Sequence, residues 1–104
     1  MKIPEKINVC GIDVVVSMST VPLDGGALGN WDKDNMEIVV LDIGIREPST
    51  GIVMYPKLQM QTFYHELMHC IFCLMGRQKE EDNEGLVDGL AYALLNVFPQ
   101  LEGK

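Results

Sequence analysis

The segment of residues 57–75 constrains the fold most, because it contains no glycine or proline and is largely apolar. At the 100° step of an α-helix, its side chains from Phe63 onward are apolar over nearly the whole circumference. A helix of this kind is usually buried. Pro56 suits the first helical position and Gly76 the C-terminal cap. The sequence therefore predicts a buried helix over about residues 57–75.

The rest of the chain predicts a small sheet and one further helix. β-Branched runs in the N-terminal half predict two hairpins, one turning at Cys10-Gly11 and one at residues 32–35. After the charged loop 77–83, a second helix is expected over about residues 84–98, stopped by Pro99. This order predicts an α+β fold, in which a mostly antiparallel sheet of three to four strands packs on two helices.

Length, charge and cysteine content exclude several classes of protein. A chain of 104 residues has the usual size of one domain, so we expect residues 1–104 to form a single domain. The net charge of −7 argues against nucleic-acid and anionic-membrane binding, which need a basic face. No apolar run approaches a membrane span, and the start does not resemble a signal peptide. We therefore expect a cytoplasmic protein, and its three cysteines are consistent with reduced thiols.

Within the predicted buried helix stands His65-Glu66-Leu67-Met68-His69, an H-E-x-x-H arrangement. Side chains four residues apart lie on one face of a helix, so both imidazoles can bind one Zn²⁺ ion. Glu66 lies about 100° around the axis, where it can take a proton from a metal-bound water. The alternative is a core helix whose histidines bond to carbonyls, but burying these three polar groups without a metal is costly.

Glu84 and Asp88, four residues apart, start the second predicted helix on a face that is otherwise small or apolar. Two carboxylates on such a face are well placed to bind a cation across a helix–helix interface. Glu84 is then the third ligand, and Asp88 accepts the free ring N–H of a ligand histidine. The reverse assignment stays open, as does a simple helix-dipole role for Glu84. Gly85 and Gly89 are expected to let the helices approach closely.

The sequence resembles the gluzincin branch of the zincin metallopeptidases, whose signature is H-E-x-x-H followed by a helix bearing N-E-x-x-x-D. The residues that match the first motif are His65, Glu66 and His69, and those that match the second are Asn83, Glu84 and Asp88. The layout is also similar to small phage and prophage proteins with a minimal zincin core, related to ImmA/IrrE-type metallopeptidases and minigluzincins. The resemblance implies a zincin-like core, one Zn²⁺ per chain, a peptide or protein substrate aligned by an edge strand, and a phage or prophage origin.

The resemblance also implies metal-assisted peptide hydrolysis with Glu66 as general base. No third histidine is present to stabilise the oxyanion, and the candidates for that role are Tyr64, Tyr92, Tyr55 and Arg77. A different hypothesis is a zinc-binding protein with weak or no catalysis that acts through protein–protein interaction. A metal-free structural domain is a third.

Other residues have simpler interpretations. Cys70 and Cys73 are expected to pack in the core, although Cys73 follows His69 by four residues and is an alternative ligand. Trp31 is expected to be a core side chain, and the acidic segment 79–82 to be solvated without a specific partner. Nitrogen and oxygen ligands of this kind also accept divalent metals other than zinc.

Overall fold

A computed structural model describes residues 2–102. Its sheet has four strands, β1 Lys6–Val9, β2 Ile12–Ser19, β3 Gly29–Asp32 and β4 Glu37–Leu41. Their order is β1-β2-β4-β3, in which β1–β2 and β3–β4 pair antiparallel and β2–β4 pair parallel. Two of the three pairings are antiparallel, so the predicted α+β fold with a mostly antiparallel sheet is confirmed.

The first hairpin turns at the predicted dipeptide. Cys10 and Gly11 both have positive φ, 52° and 84°, which is the backbone that a tight two-residue hairpin turn requires. In β2, Val14 and Val16 are buried whereas Val15 is 47% exposed. The side chains therefore alternate, and one face of this strand is covered.

The helices are α1 Pro56–Leu74, the single-turn α2 Gln78–Glu81, and α3 Glu84–Glu102. No residue from 58 to 74 is exposed, so the predicted buried helix is confirmed, one residue earlier at each end. The sheet lies against α1 through β1, β3 and β4, and α3 packs on α1. Helix α1 therefore joins the sheet to α3. Within residues 2–102, no helix is long and apolar enough to cross a membrane.

The predicted end of the last helix before Pro99 is wrong, because α3 continues to Glu102. A proline inside a helix removes one backbone hydrogen bond and crowds the carbonyl four residues before it, so the last turn needs other contacts to stabilise it. In the same turn, Gln100 Nε2 donates to the carbonyl of Asn96 at 3.0 Å. The Phe98 ring packs edge-on against Tyr64, with centroids 5.5 Å apart. Packing against α1 thus stabilises the last turn of α3, which helix propensity alone would not stabilise.

The segment between β4 and α1 is a loop fixed by its own contacts. Arg46 and Val53 form an isolated antiparallel bridge, and Met54 is only 1% exposed. Glu47 is also 1% exposed, and its carboxylate accepts hydrogen bonds from the backbone N–H and hydroxyl groups of Ser49 and Thr50. These bonds, chiefly from the Ser49 and Thr50 hydroxyls, lower the pKa of Glu47 to about 2.

Candidate metal centre

The start of α3 places Glu84 opposite the histidines of α1. Asn83 Oδ1 accepts a hydrogen bond from the backbone N–H of Leu86 at 3.0 Å, which is the geometry of a helix N-cap. The helix therefore begins with Glu84 in its first turn. Since α3 packs along α1, this first turn lies beside the turn of α1 that carries both imidazoles.

His65, His69 and Glu84 converge on one point. The Nε2 atom of His65 lies 3.2 Å from Glu84 Oε1, and the Nε2 atom of His69 lies 3.1 Å from Glu84 Oε2. One potential ligand atom from each residue lies within 4.8 Å of the other two. These three side chains, which the sequence predicted as a ligand set, form a group that could hold a metal ion.

Each imidazole also has an acid on its other nitrogen. His65 Nδ1 lies 2.6 Å from Asp88 Oδ1, and His69 Nδ1 lies 3.6 Å from Glu81 Oε2. A proton on Nδ1 that is directed at a carboxylate leaves the Nε2 lone pair free for a metal. Asp88 thus contacts the Nδ1 atom of one of the two histidines, as expected, and Glu84 lies between the two Nε2 atoms.

Glu81 is the residue of this site that the sequence did not predict. The expectation that the acidic segment 79–82 is solvated without a specific partner is wrong for this residue, and Glu80 and Asp82 also have partners, in Arg77 and Gln78. Its side chain is 16% exposed and faces His69. Its distance from the histidine along the chain follows no helical or strand period. The sequence feature that could have indicated this contact is the shortness of the connection 77–83 between the two long helices. A short connection between packed helices must stay near the C-terminal half of α1, which carries His69.

Glu66 is less exposed to solvent than the other acids of the site. It is 9% exposed, and this burial raises the pKa of its carboxyl group, while the nearby imidazoles act in the opposite direction. The backbone N–H of Trp31 donates a hydrogen bond to it. A buried carboxyl group with a raised pKa is a better proton acceptor than an exposed one.

Strand β3 approaches α1 closely beside Glu66. A Cβ atom at Gly29 would lie 2.7 Å from Thr62 Cγ2 and 3.1 Å from Glu66 Cγ. Only glycine fits at this position without displacing its neighbours. Gly85 and Gly89, by contrast, face open space apart from an ordinary contact between Gly85 and Asn83. The expectation that they let α1 and α3 approach closely is wrong.

A cleft of about 360 Å³ opens beside the cluster. It lies between the start of β3 and α1 and is bounded at one end by α3. Its walls combine apolar side chains with the polar groups of the site, and they include Leu28, Gly29, Leu58, Thr62, His65, Glu66 and Asp88. A ligand in this cleft would therefore contact both Glu66 and the first imidazole.

The candidates for oxyanion stabilisation are dispersed. Tyr64 is 2% exposed and packs against the rings of Phe63 and Phe98, in the core and outside the cleft lining. Tyr92 is 56% exposed, one turn after Asp88 on α3. Neither tyrosine is among the residues that line the cleft.

The remaining candidates are engaged elsewhere or exposed. Arg77 donates to Glu80 at 2.9 Å, and Tyr55 is 54% exposed at the start of α1. Cys70 is fully buried, which raises the pKa of its thiol to about 12, so it stays protonated. The group among residues 2–102 that could hold a metal ion contains neither Cys70 nor Cys73.

Comparison of the chain with protein-family models, with curated proteins and with solved structures finds no match. What the protein does is therefore inferred from its own residues.

Proposed function

We propose that this protein is a zinc-dependent metallopeptidase. The observation that carries the proposal is the convergence of His65, His69 and Glu84 next to a cleft lined by the buried carboxyl group of Glu66. Three protein ligands with a neighbouring general base and open access are the arrangement that hydrolytic zinc sites need, whereas structural sites usually use four protein ligands.

The donor set suits zinc. Two imidazole nitrogens and one carboxylate oxygen are a common three-ligand set for catalytic zinc. His65 and His69 would bind through Nε2, and Glu84 through its carboxylate, whose two oxygens each contact one of these nitrogens. When bound, zinc supplies a Lewis acid and lowers the pKa of a water ligand to about 7.

Glu66 is the group we assign to proton transfer. Its carboxylate would accept a proton from the attacking water and pass it to the leaving amine. Burial favours this role because it raises the pKa of the carboxyl group, and the Trp31 N–H donates a hydrogen bond to it. Asp88 orients His65 through its Nδ1 atom.

An extended peptide is the substrate that the cleft favours. β3 is an edge strand of the sheet, and Gly29 in this strand lines the cleft. A peptide can pair its backbone with a free strand edge, and apolar walls such as Leu28 and Leu58 can contact its side chains. This arrangement would bring a peptide bond alongside Glu66.

Metal analysis and peptide cleavage together test the proposal. Purified protein should contain about one zinc per chain, and His65→Ala should lose it. The protein should cleave members of a peptide library, and a chelator should stop this cleavage until zinc is restored. Bound zinc without cleavage would instead favour the protein–protein interaction hypothesis, and protein that binds no divalent metal would exclude both.

A further inference from the structure

We propose that Glu81 is a positioning residue for His69, whose imidazole it holds from the Nδ1 side so that Nε2 faces the metal position. The inference rests on the proposed metal site and adds to it a residue from a third element, the single-turn helix α2. The carboxylate of Glu81 lies 3.6 Å from His69 Nδ1. This is an ion-pair distance rather than a short hydrogen bond.

Burial indicates that this contact is specific. The side chains of His69 and Glu81 are 15% and 16% exposed, whereas Asp88, the corresponding acid on His65, is 67% exposed. A carboxylate withdrawn from water is costly unless it has a partner. Among the contacts described for residues 2–102, the ring of His69 is the partner that faces the Glu81 carboxylate.

The local structure of α2 keeps Glu81 pointing inward. Its backbone N–H donates to the carbonyl of Arg77 at 3.0 Å, which closes the single helical turn. The neighbouring side chains pair with one another, as Arg77 donates to Glu80 at 2.9 Å and Gln78 donates to Asp82 at 2.8 Å. These bonds lie within α2 and its flanking residues, so the turn that carries Glu81 is fixed without a contact to His69.

The two imidazoles then have the same arrangement of acids around their ring nitrogens. Each directs Nε2 at Glu84 and Nδ1 at an acid, which α3 supplies for His65 and α2 supplies for His69. Removal of a residue that orients a metal-binding histidine typically weakens metal affinity 10- to 100-fold. Because the contact of Glu81 is longer than that of Asp88, we expect its effect at the lower end, about 10-fold.

Zinc affinity, measured in the full chain by competition with a chelator, tests this role. Glu81→Ala should weaken zinc binding about 10-fold, and Glu81→Gln should retain part of the affinity because its amide oxygen can still accept the Nδ1 proton. Glu5→Gln is the control. It removes the same charge from an exposed position before β1, and it should leave zinc affinity within about twofold of the original protein.

Thermal unfolding of the metal-free variants separates positioning from a structural role. A positioning residue should change zinc affinity while the midpoint of thermal unfolding of the metal-free protein stays close to that of the Glu5→Gln control. Original protein that binds one zinc while Glu81→Ala binds it equally well would overturn this inference and leave the proposed function intact. A loss of affinity matched by an equal loss of metal-free stability would overturn it too. Absence of zinc from the original protein would overturn the proposed function itself.

Discussion

The Nδ1 atom of His65 lies 2.6 Å from Oδ1 of Asp88, while the Nε2 atom of the same ring faces Glu84. The two acids occupy opposite nitrogens of one imidazole, so they have different roles at this ring. In the proposed metal site, Asp88 would fix the tautomer and orientation of the His65 ring, and Glu84 would bind the metal. The sequence left open which of the two acids is the ligand, and the geometry favours Glu84 because it also contacts His69.

Replacement of Asp88 is therefore expected to weaken zinc binding without removing a ligand. Asp88→Ala should lower zinc affinity about 10- to 100-fold, because the imidazole of His65 loses the acceptor that orients it. Asp34→Ala, which removes the same charge from the exposed loop between β3 and β4, should change affinity little. Chelator competition measures both variants, and equal affinities for the two would refute the role assigned to Asp88.

Replacement of Glu66 should separate metal binding from catalysis. Glu66→Gln keeps the size of the side chain and an oxygen that can accept the Trp31 N–H, but it removes the proton acceptor. Peptide cleavage should fall about 100- to 10,000-fold while zinc content stays near one per chain. The measurement is the rate of cleavage per bound zinc. A variant that cleaves as fast as the original protein would exclude Glu66 as the general base.

Much of the site could be predicted from the sequence because the relevant spacings are local. Side chains four residues apart lie on the same face of a helix. The sequence alone therefore predicts that His65 lies on one face with His69, and that Glu84 lies on one face with Asp88. The burial of α1 could be predicted because its side chains are apolar around nearly the whole helix, and such a helix is usually covered on all sides. In the structure, the sheet and α3 both pack against it. Both predictions depend on the helical period alone.

The misses depend on tertiary structure. Glu81 meets His69 through a chain reversal that carries no periodic signal, and α3 passes Pro99 because Phe98 packs on Tyr64. The position at which two elements approach so closely that only glycine fits is Gly29, where β3 meets α1. The sequence predicts such positions on α3 instead, at Gly85 and Gly89. Such contacts join elements distant in sequence, so residue patterns within one element do not report them.

Gly29 should be the least replaceable glycine near the site. In Gly29→Ala, the new Cβ would lie 2.7 Å from Thr62 Cγ2 and 3.1 Å from Glu66 Cγ, so β3 or α1 must shift. Overpacking of this kind costs about 1–3 kcal/mol in the free energy of unfolding. Gly89→Ala is the contrasting variant, because its Cβ meets open space inside a helix and should stabilise the protein by about 0.5–1 kcal/mol. Urea unfolding of both variants measures this opposite pair of effects, and equal stabilities would contradict the packing described for β3.

Glu47 should make stability depend on pH in the acid range. Its folded-state pKa is lowered to about 2 from an ordinary value of 4.5, so its contribution is complete above pH 4.5 and is lost as the pH falls toward 2. Glu47→Gln cannot satisfy the N–H and O–H donors of both Ser49 and Thr50, because its amide presents a single acceptor oxygen. Its melting temperature should therefore lie below that of the original protein at pH 6, and the gap should narrow steadily between pH 4.5 and pH 2. Glu5→Gln, at an exposed position, controls for the lost charge and should show no such narrowing. A gap for Glu47→Gln that stays constant down to pH 2 would show that the hydrogen bonds from Ser49 and Thr50 do not stabilise the ionised carboxylate.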